Sequence, residues 1–127
     1  MNHFLVLGTM LLVALLPARA ASAEIVDIHW SGEGRFVHQT RVAPGEFVEL
    51  CGKLPAGLKV RWKFASDTRL DFNVHYHVGE KVMFASRLGG VAKGRNTLNT
   101  RIEQDYCWMW SNKSTQPASL AVTLQRE

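Results

Sequence analysis

The residues of this chain whose types and spacing could do chemistry fall into three small sets. His75 and His77 stand two apart, so on an extended strand their imidazoles project to the same side within a few ångströms. Such a pair can ligate Cu or Zn, with His29 or His38 as a third nitrogen. The plainer expectation is that both rings are solvated partners of Asp71 on a polar sheet face. A blue-copper arrangement is excluded, because Met109 follows Cys107 but no histidine does. No other cofactor is expected.

The second set is Lys59, Arg61 and Lys63, which alternate with Leu58, Val60, Trp62 and Phe64. A strand here turns its apolar side chains inward and its cations outward. The outward stripe suits an anionic lipid head group or an acidic partner. It equally suits an edge strand guarded against pairing with another chain. Trp30, beside His29 and ahead of the first clear strand, reads as a partly exposed interface anchor, whereas Trp62, Trp108 and Trp110 fit core faces.

The third set is the two cysteines, Cys51 and Cys107, and their meaning depends on compartment. Residues Met1 to Ala23 read as a cleaved signal peptide. The apolar run Phe4–Leu16 is too short to span a bilayer, and small-x-small sites follow at Ala18-Arg19-Ala20 and Ala21-Ser22-Ala23. Cleavage before Glu24 leaves residues 24–127 as a single domain, periplasmic or secreted, with no later stretch long enough to cross a membrane. In an oxidising compartment the two cysteines form a disulfide, worth about 4 kcal/mol in the chain-entropy model.

Reactive sites are missing elsewhere. The sequence has no G-x-S-x-G elbow, no free-Cys/His pair and no glycine-rich phosphate loop. Asp67 and Asp71 flank a turn, where Asp is common for conformational reasons. A non-enzymatic protein is expected. The formal charge of +4 is small and spread along the chain, which excludes a dedicated nucleic-acid binder. Asn112-Lys113-Ser114 matches a glycosylation acceptor, relevant only in a eukaryotic secretory pathway.

The elements that must position these residues are strands. No helical period persists, and short alternating runs recur between turn residues. Phe36–Val42, Glu46–Cys51, Leu58–Phe64, Leu70–Tyr76, Lys81–Leu88, Tyr106–Trp110 and Ser119–Gln125 are the predicted strands. Turns are expected at Ala43-Pro44-Gly45, Ala65–Arg69 and Val78-Gly79-Glu80. Gly89-Gly90 should break the chain, and Val91–Gln104 reads as a loop with one weak strand. The pattern predicts an all-β fold: an antiparallel two-sheet β-sandwich of seven to eight strands.

Two segments resemble the GOLD (Golgi dynamics) domain. One is Leu58–Asp67 followed by Leu70-x-Phe72-x-Val74. The other is Tyr106-x-Trp108-x-Trp110-Ser111-Asn112 with the closing strand Leu120–Leu124. The resemblance implies a GOLD-like jelly-roll sandwich. It also implies a disulfide between the strands that carry Cys51 and Cys107, and a binding role for an envelope protein or lipid through sheet edges and end loops. Two further readings stand beside it: a periplasmic metal-binding protein using His75, His77 and His29, and a carbohydrate- or lipid-binding accessory domain using Trp30 and the basic stripe.

Overall fold

The computed structural model describes residues 12–16 and 23–127. The signal-peptide reading of residues 1–23 falls mostly outside them. Period-two alternation does its expected work in the rest. Seven strands follow in order: β1 (Ala23–Asp27), β2 (Arg35–Val42), β3 (Phe47–Leu54), β4 (Lys59–Val78), β5 (Lys81–Asn99), β6 (Gln104–Ser111) and β7 (Ala118–Arg126). The described residues contain no helix long and apolar enough to cross a membrane.

The expected sandwich of two antiparallel sheets is not what forms. The strands make one hydrogen-bonded sheet in the order β1-β3-β6-β4-β7-β2, with β5 on the remaining edge of β4. One pair, β1 with β3, is parallel; all others are antiparallel. The reason lies in β4. Its first half (Val60–Ser66) pairs with β7 and its second half (Asp71–His75) pairs with β6. A strand of 20 residues therefore carries the hydrogen-bonding pattern through the bend that would otherwise separate two sheets. At the far ends of the path the side chain of Thr40 on β2 donates to the Glu24 carboxylate on β1 at 3.1 Å, so the sheet is curled.

The concave side holds the core. Val60, Trp62, Phe64, Leu70, Phe72 and Val74 of β4 meet Trp108 and Trp110 of β6, Val48 and Leu50 of β3, and Leu120, Val122 and Leu124 of β7, all buried. Trp62, Phe64, Phe72 and Trp110 form one aromatic cluster with ring centroids 4.7–6.1 Å apart. The expected burial of Trp62, Trp108 and Trp110 holds.

Three segments differ from expectation. β1 is not among the predicted strands; it lies parallel to β3 at the edge of the sheet. Ala65–Arg69 is not a turn, because β4 runs straight through it while changing partners. Gly89-Gly90 does not end a strand, and Val91–Asn99 is not a loop: β5 is continuous over 19 residues. It stays paired to β4 through register shifts between Ala65 and Leu70, between Leu70 and Phe72, and between Val74 and His75. These irregularities supply the sharp local twist of a bulged ribbon. Gly94 lies inside the bend, where an added Cβ would sit 2.8 Å from Phe64 Cε1. The turn at Gly79-Glu80 forms as expected, with Gly79 at φ 59°.

Candidate binding surfaces

The curl leaves the convex side of the sheet as two outer surfaces. Residues paired across neighbouring strands share a face, so the pairing register identifies what each surface presents. Over β2, β7, the first half of β4 and the second half of β5, one row reads Arg35, Gln125, Arg61, Thr97. The next reads Val37, Thr123, Lys63, Arg95, and a third Gln39, Ala121, Ala65, Lys93. Lys59 and Arg41 extend this surface at its two ends.

The predicted stripe of Lys59, Arg61 and Lys63 is exposed as expected. Its strand is not an edge, however, because β5 and β7 flank this half of β4 on either side. Protection of a sheet edge therefore does not explain these three, although it does suit Lys93 and Arg95 on the open strand β5. The structure adds Arg35 from β2 and Arg95 from β5, and with Arg61 and Lys63 these line a shallow depression of about 490 Å³. Arg61 is held by the Glu127 carboxylate at 2.7 Å.

The second outer surface covers β1, β3, β6 and the other halves of β4 and β5. One row reads Asp27, Cys51, Cys107, His75, Phe84, and its neighbour reads Ile25, Glu49, Met109, Asn73, Arg87. Cys51 and Cys107 are directly opposed and joined by a disulfide, as predicted. His75 lies next to that bridge. It points outward but is 5% exposed, in contrast with the solvated ring expected from sequence. Its Nδ1 is 2.7 Å from Asn73 Oδ1 and its Nε2 is 3.6 Å from Glu49 Oε1. Burial holds its imidazole below the ordinary histidine range; the Glu49 carboxylate pulls the other way, and His77 adds slightly to the lowering.

His77 is exposed, with its ring centroid 5.3 Å from that of His75. His29 is exposed on the segment after β1. Among the described residues the group of three ligating side chains that converges within 4.8 Å is Glu49, Cys51 and Cys107, and its sulfurs are bonded to each other. Of the histidines, the structure thus brings His75 and His77 together. Trp30 is half-buried against the core rather than projecting, and the Arg126 guanidinium lies 5.5 Å from its ring centroid. Asn112 is buried, and its amide is fully engaged with Val42, Gln116 and Ser114. That leaves no free amide for a glycan on the folded chain.

Two features were not visible from the sequence. The β4–β5 hairpin exposes Val78, Val82, Met83, Phe84 and Leu88, with the Arg87 guanidinium 4.3 Å from the centre of the Phe84 ring. Among the described residues β5 pairs with β4 alone, so its outer edge is open. Inside the curl, a cavity of about 370 Å³ is bounded by Trp62, Tyr76, Tyr106, Asn96, Arg101 and Ile102. Tyr106 donates to the Ile102 carbonyl at 2.8 Å, which closes the floor, and burial raises its phenol above the usual range.

No protein-family model matches the chain, and no curated protein matches it. Solved structures do. A periplasmic inhibitor of g-type lysozyme from Aeromonas hydrophila, PliG, superposes with a TM-score of 0.69 at 11% identity, covering 85% of this chain and 100% of its own. Its counterpart from Salmonella Typhimurium gives 0.57 at 13% identity, covering 82% and 98%. The pre-peptidase C-terminal domain of a Bacillus anthracis collagenase gives 0.54 at 7% identity, covering 87% and 99%. At such identities the likeness is one of fold: a small all-β domain. The GOLD-like sandwich finds no counterpart among these structures.

Proposed function

We propose that this chain is a small exported, non-enzymatic module that binds a protein partner in the cell envelope. The observation that carries the reading is the β4–β5 hairpin, whose edge is unpaired and whose side chains Val82, Met83 and Phe84 are all more than 40% exposed. Val82 and Phe84 lie on one face of the hairpin and Met83 on the other, so apolar groups stand exposed on both sides of an open edge, which makes the tip a contact surface in waiting. Lys81 and Arg87 flank these side chains, with Glu80 in the turn beside them, so the partner surface is chiefly apolar. Export rests on the N-terminal signal and agrees with the Cys51–Cys107 disulfide. The fold it shares with two periplasmic lysozyme inhibitors makes a lysozyme the partner to test first. From the GOLD-like resemblance the reading keeps only a binding β domain.

The test is inhibition of peptidoglycan hydrolysis by g-type and other lysozymes, with complex formation followed by size exclusion. Stoichiometric inhibition that is lost in Met83→Glu/Phe84→Glu supports the reading. A parent protein that neither slows any lysozyme nor co-elutes with one rejects lysozyme as the partner.

A second reading is favoured by one observation, the approach of the Glu49 carboxylate to His75 Nε2 beside His77. These three side chains are the candidate donors for Cu or Zn. Titration with either ion should show sub-micromolar binding that disappears in His75→Ala/His77→Ala. No binding by the parent ends this reading.

A further inference from the structure

The depression between β2 and β5 gathers cations from three strands, and those of β4 lie inside the sheet, where edge protection does not call for them. Seven of the chain's fifteen basic residues stand on this one outer surface: Arg35, Arg41, Lys59, Arg61, Lys63, Lys93 and Arg95. Two carboxylates reach them. Glu127 pairs with Arg61, and Asp67 accepts from the Ser119 backbone at the far end, where Arg41 also helps hold its carboxyl below the usual range. Lys63 and Arg95 are direct cross-strand neighbours, and like charges in that relation repel. Among the described residues, Arg35, Lys63 and Arg95 have no acidic partner. Elsewhere on the protein Lys53 pairs with Glu103 and Lys113 with Asp71.

Geometry selects the kind of anion. Adjacent strands lie about 4.8 Å apart, so Arg35 and Arg61 flank β7 at about 10 Å, while Lys63 and Arg95 are nearest neighbours. The floor between them is uncharged and polar, formed by Thr123 and Gln125, whose amide nitrogen is anchored on the Glu33 carbonyl at 2.9 Å. Four cations around a polar floor, two in each of two adjacent rows that cross the strands, match negative charges repeated along an extended chain. The surface offers nothing else. Val37 is its one large exposed apolar side chain, so it lacks the apolar centre of a protein interface. Trp62, which also borders the depression, is buried, so no exposed aromatic ring is there to stack a nucleobase or to enter a bilayer.

We propose that the outer surface centred on Arg35, Arg61, Lys63 and Arg95 binds a linear polyanion, a chain bearing sulfate, phosphate or carboxylate groups along a flexible backbone. Guanidinium groups favour such oxyanions through paired donors. This site lies away from the apolar tip of the β4–β5 hairpin, and its test does not depend on a protein partner.

The disulfide-bonded protein is titrated with heparin and with linear polyphosphate by calorimetry, at about 50 mM and about 200 mM salt. Both chains should bind, with affinity falling at least about tenfold at the higher salt. Lys63→Gln/Arg95→Gln should lose at least about tenfold at fixed salt. Lys53→Gln/Lys113→Gln, which removes the same charge elsewhere, should lose less than about threefold. Equal losses in the two variants would reduce the effect to net charge and overturn the site. So would inorganic phosphate binding as tightly as the polymers. Binding to phosphatidylglycerol vesicles without binding to either chain would reassign the surface to lipid and overturn the proposal.

Discussion

Nε2 of His75, in the same cross-strand row as the Cys51–Cys107 bridge, faces the carboxylate of Glu49 in the next row at 3.6 Å, and the ring is almost wholly enclosed. Desolvation outweighs the attraction of the carboxylate, so the imidazole protonates less readily in the folded chain than in the unfolded one. The unfolded state therefore binds more protons between the lowered folded value and the ordinary value of about 6.5. Stability rises with pH across that window and is lost as pH falls through it. Melting temperature measured from pH 5 to pH 7.5 should increase, and His75→Gln should flatten the increase. The depressed carboxylates Asp67 and Asp71 act only below the ordinary aspartate range, so they do not imitate this slope. An unchanged slope in the variant would show that His75 is not its source.

Glu49 has an opposite role that can be read separately. Its charge favours the imidazolium, so Glu49→Gln should push the His75 ring to still lower pH in an NMR titration. A shift upward would mean that Glu49 does not face the ring as a carboxylate.

Gly94 is the one place where the bent ribbon leaves no room for a side chain. A Cβ there would lie 2.8 Å from Phe64 Cε1 and 3.3 Å from Leu88 Cδ1. Phe64 cannot retreat, because Phe72 and Trp110 hold it at centroid distances of 4.8 and 5.5 Å. Gly94→Ala should destabilise by about 1–3 kcal/mol. The expected drop in melting temperature is roughly 5–15 °C. A drop no larger than that of an exposed strand substitution such as Thr97→Ala would refute the clash.

The same bend explains what the sequence hid. Strands β2, β3, β7 and the first half of β4 were legible because each keeps one apolar face against the core, as in Val60, Trp62 and Phe64. Ala65–Arg69 looked like a turn because β4 changes partners there, and the change brings in Ser, Asp and Thr. Asn96, Thr97 and Asn99 looked like loop because this half of β5 is exposed and owes its strand geometry to pairing with β4 rather than to burial. Lys59, Arg61 and Lys63 could be read as an outward stripe from alternation alone. Arg35 and Arg95 could not, since only tertiary register places residues 60 positions apart on one surface. His75 looked solvated because alternation gives the direction of a side chain but not what covers it.

The disulfide holds the centre of the second outer surface. Cys51 and Cys107 are opposed on β3 and β6, and their bond closes a separation of 56 residues. Its removal frees the unfolded chain, and the chain-entropy model puts the loss at about 4 kcal/mol, with 2–4 kcal/mol typical of measurement. Cys51→Ala/Cys107→Ala should therefore remain a β protein with a midpoint shifted to lower denaturant and an unchanged far-ultraviolet spectrum. His75 abuts this pair, so the same variant should also loosen the imidazole and move its titration back toward the ordinary value. A midpoint shift without any change in the His75 titration would confine the disulfide to chain entropy and separate it from the packing of the histidine.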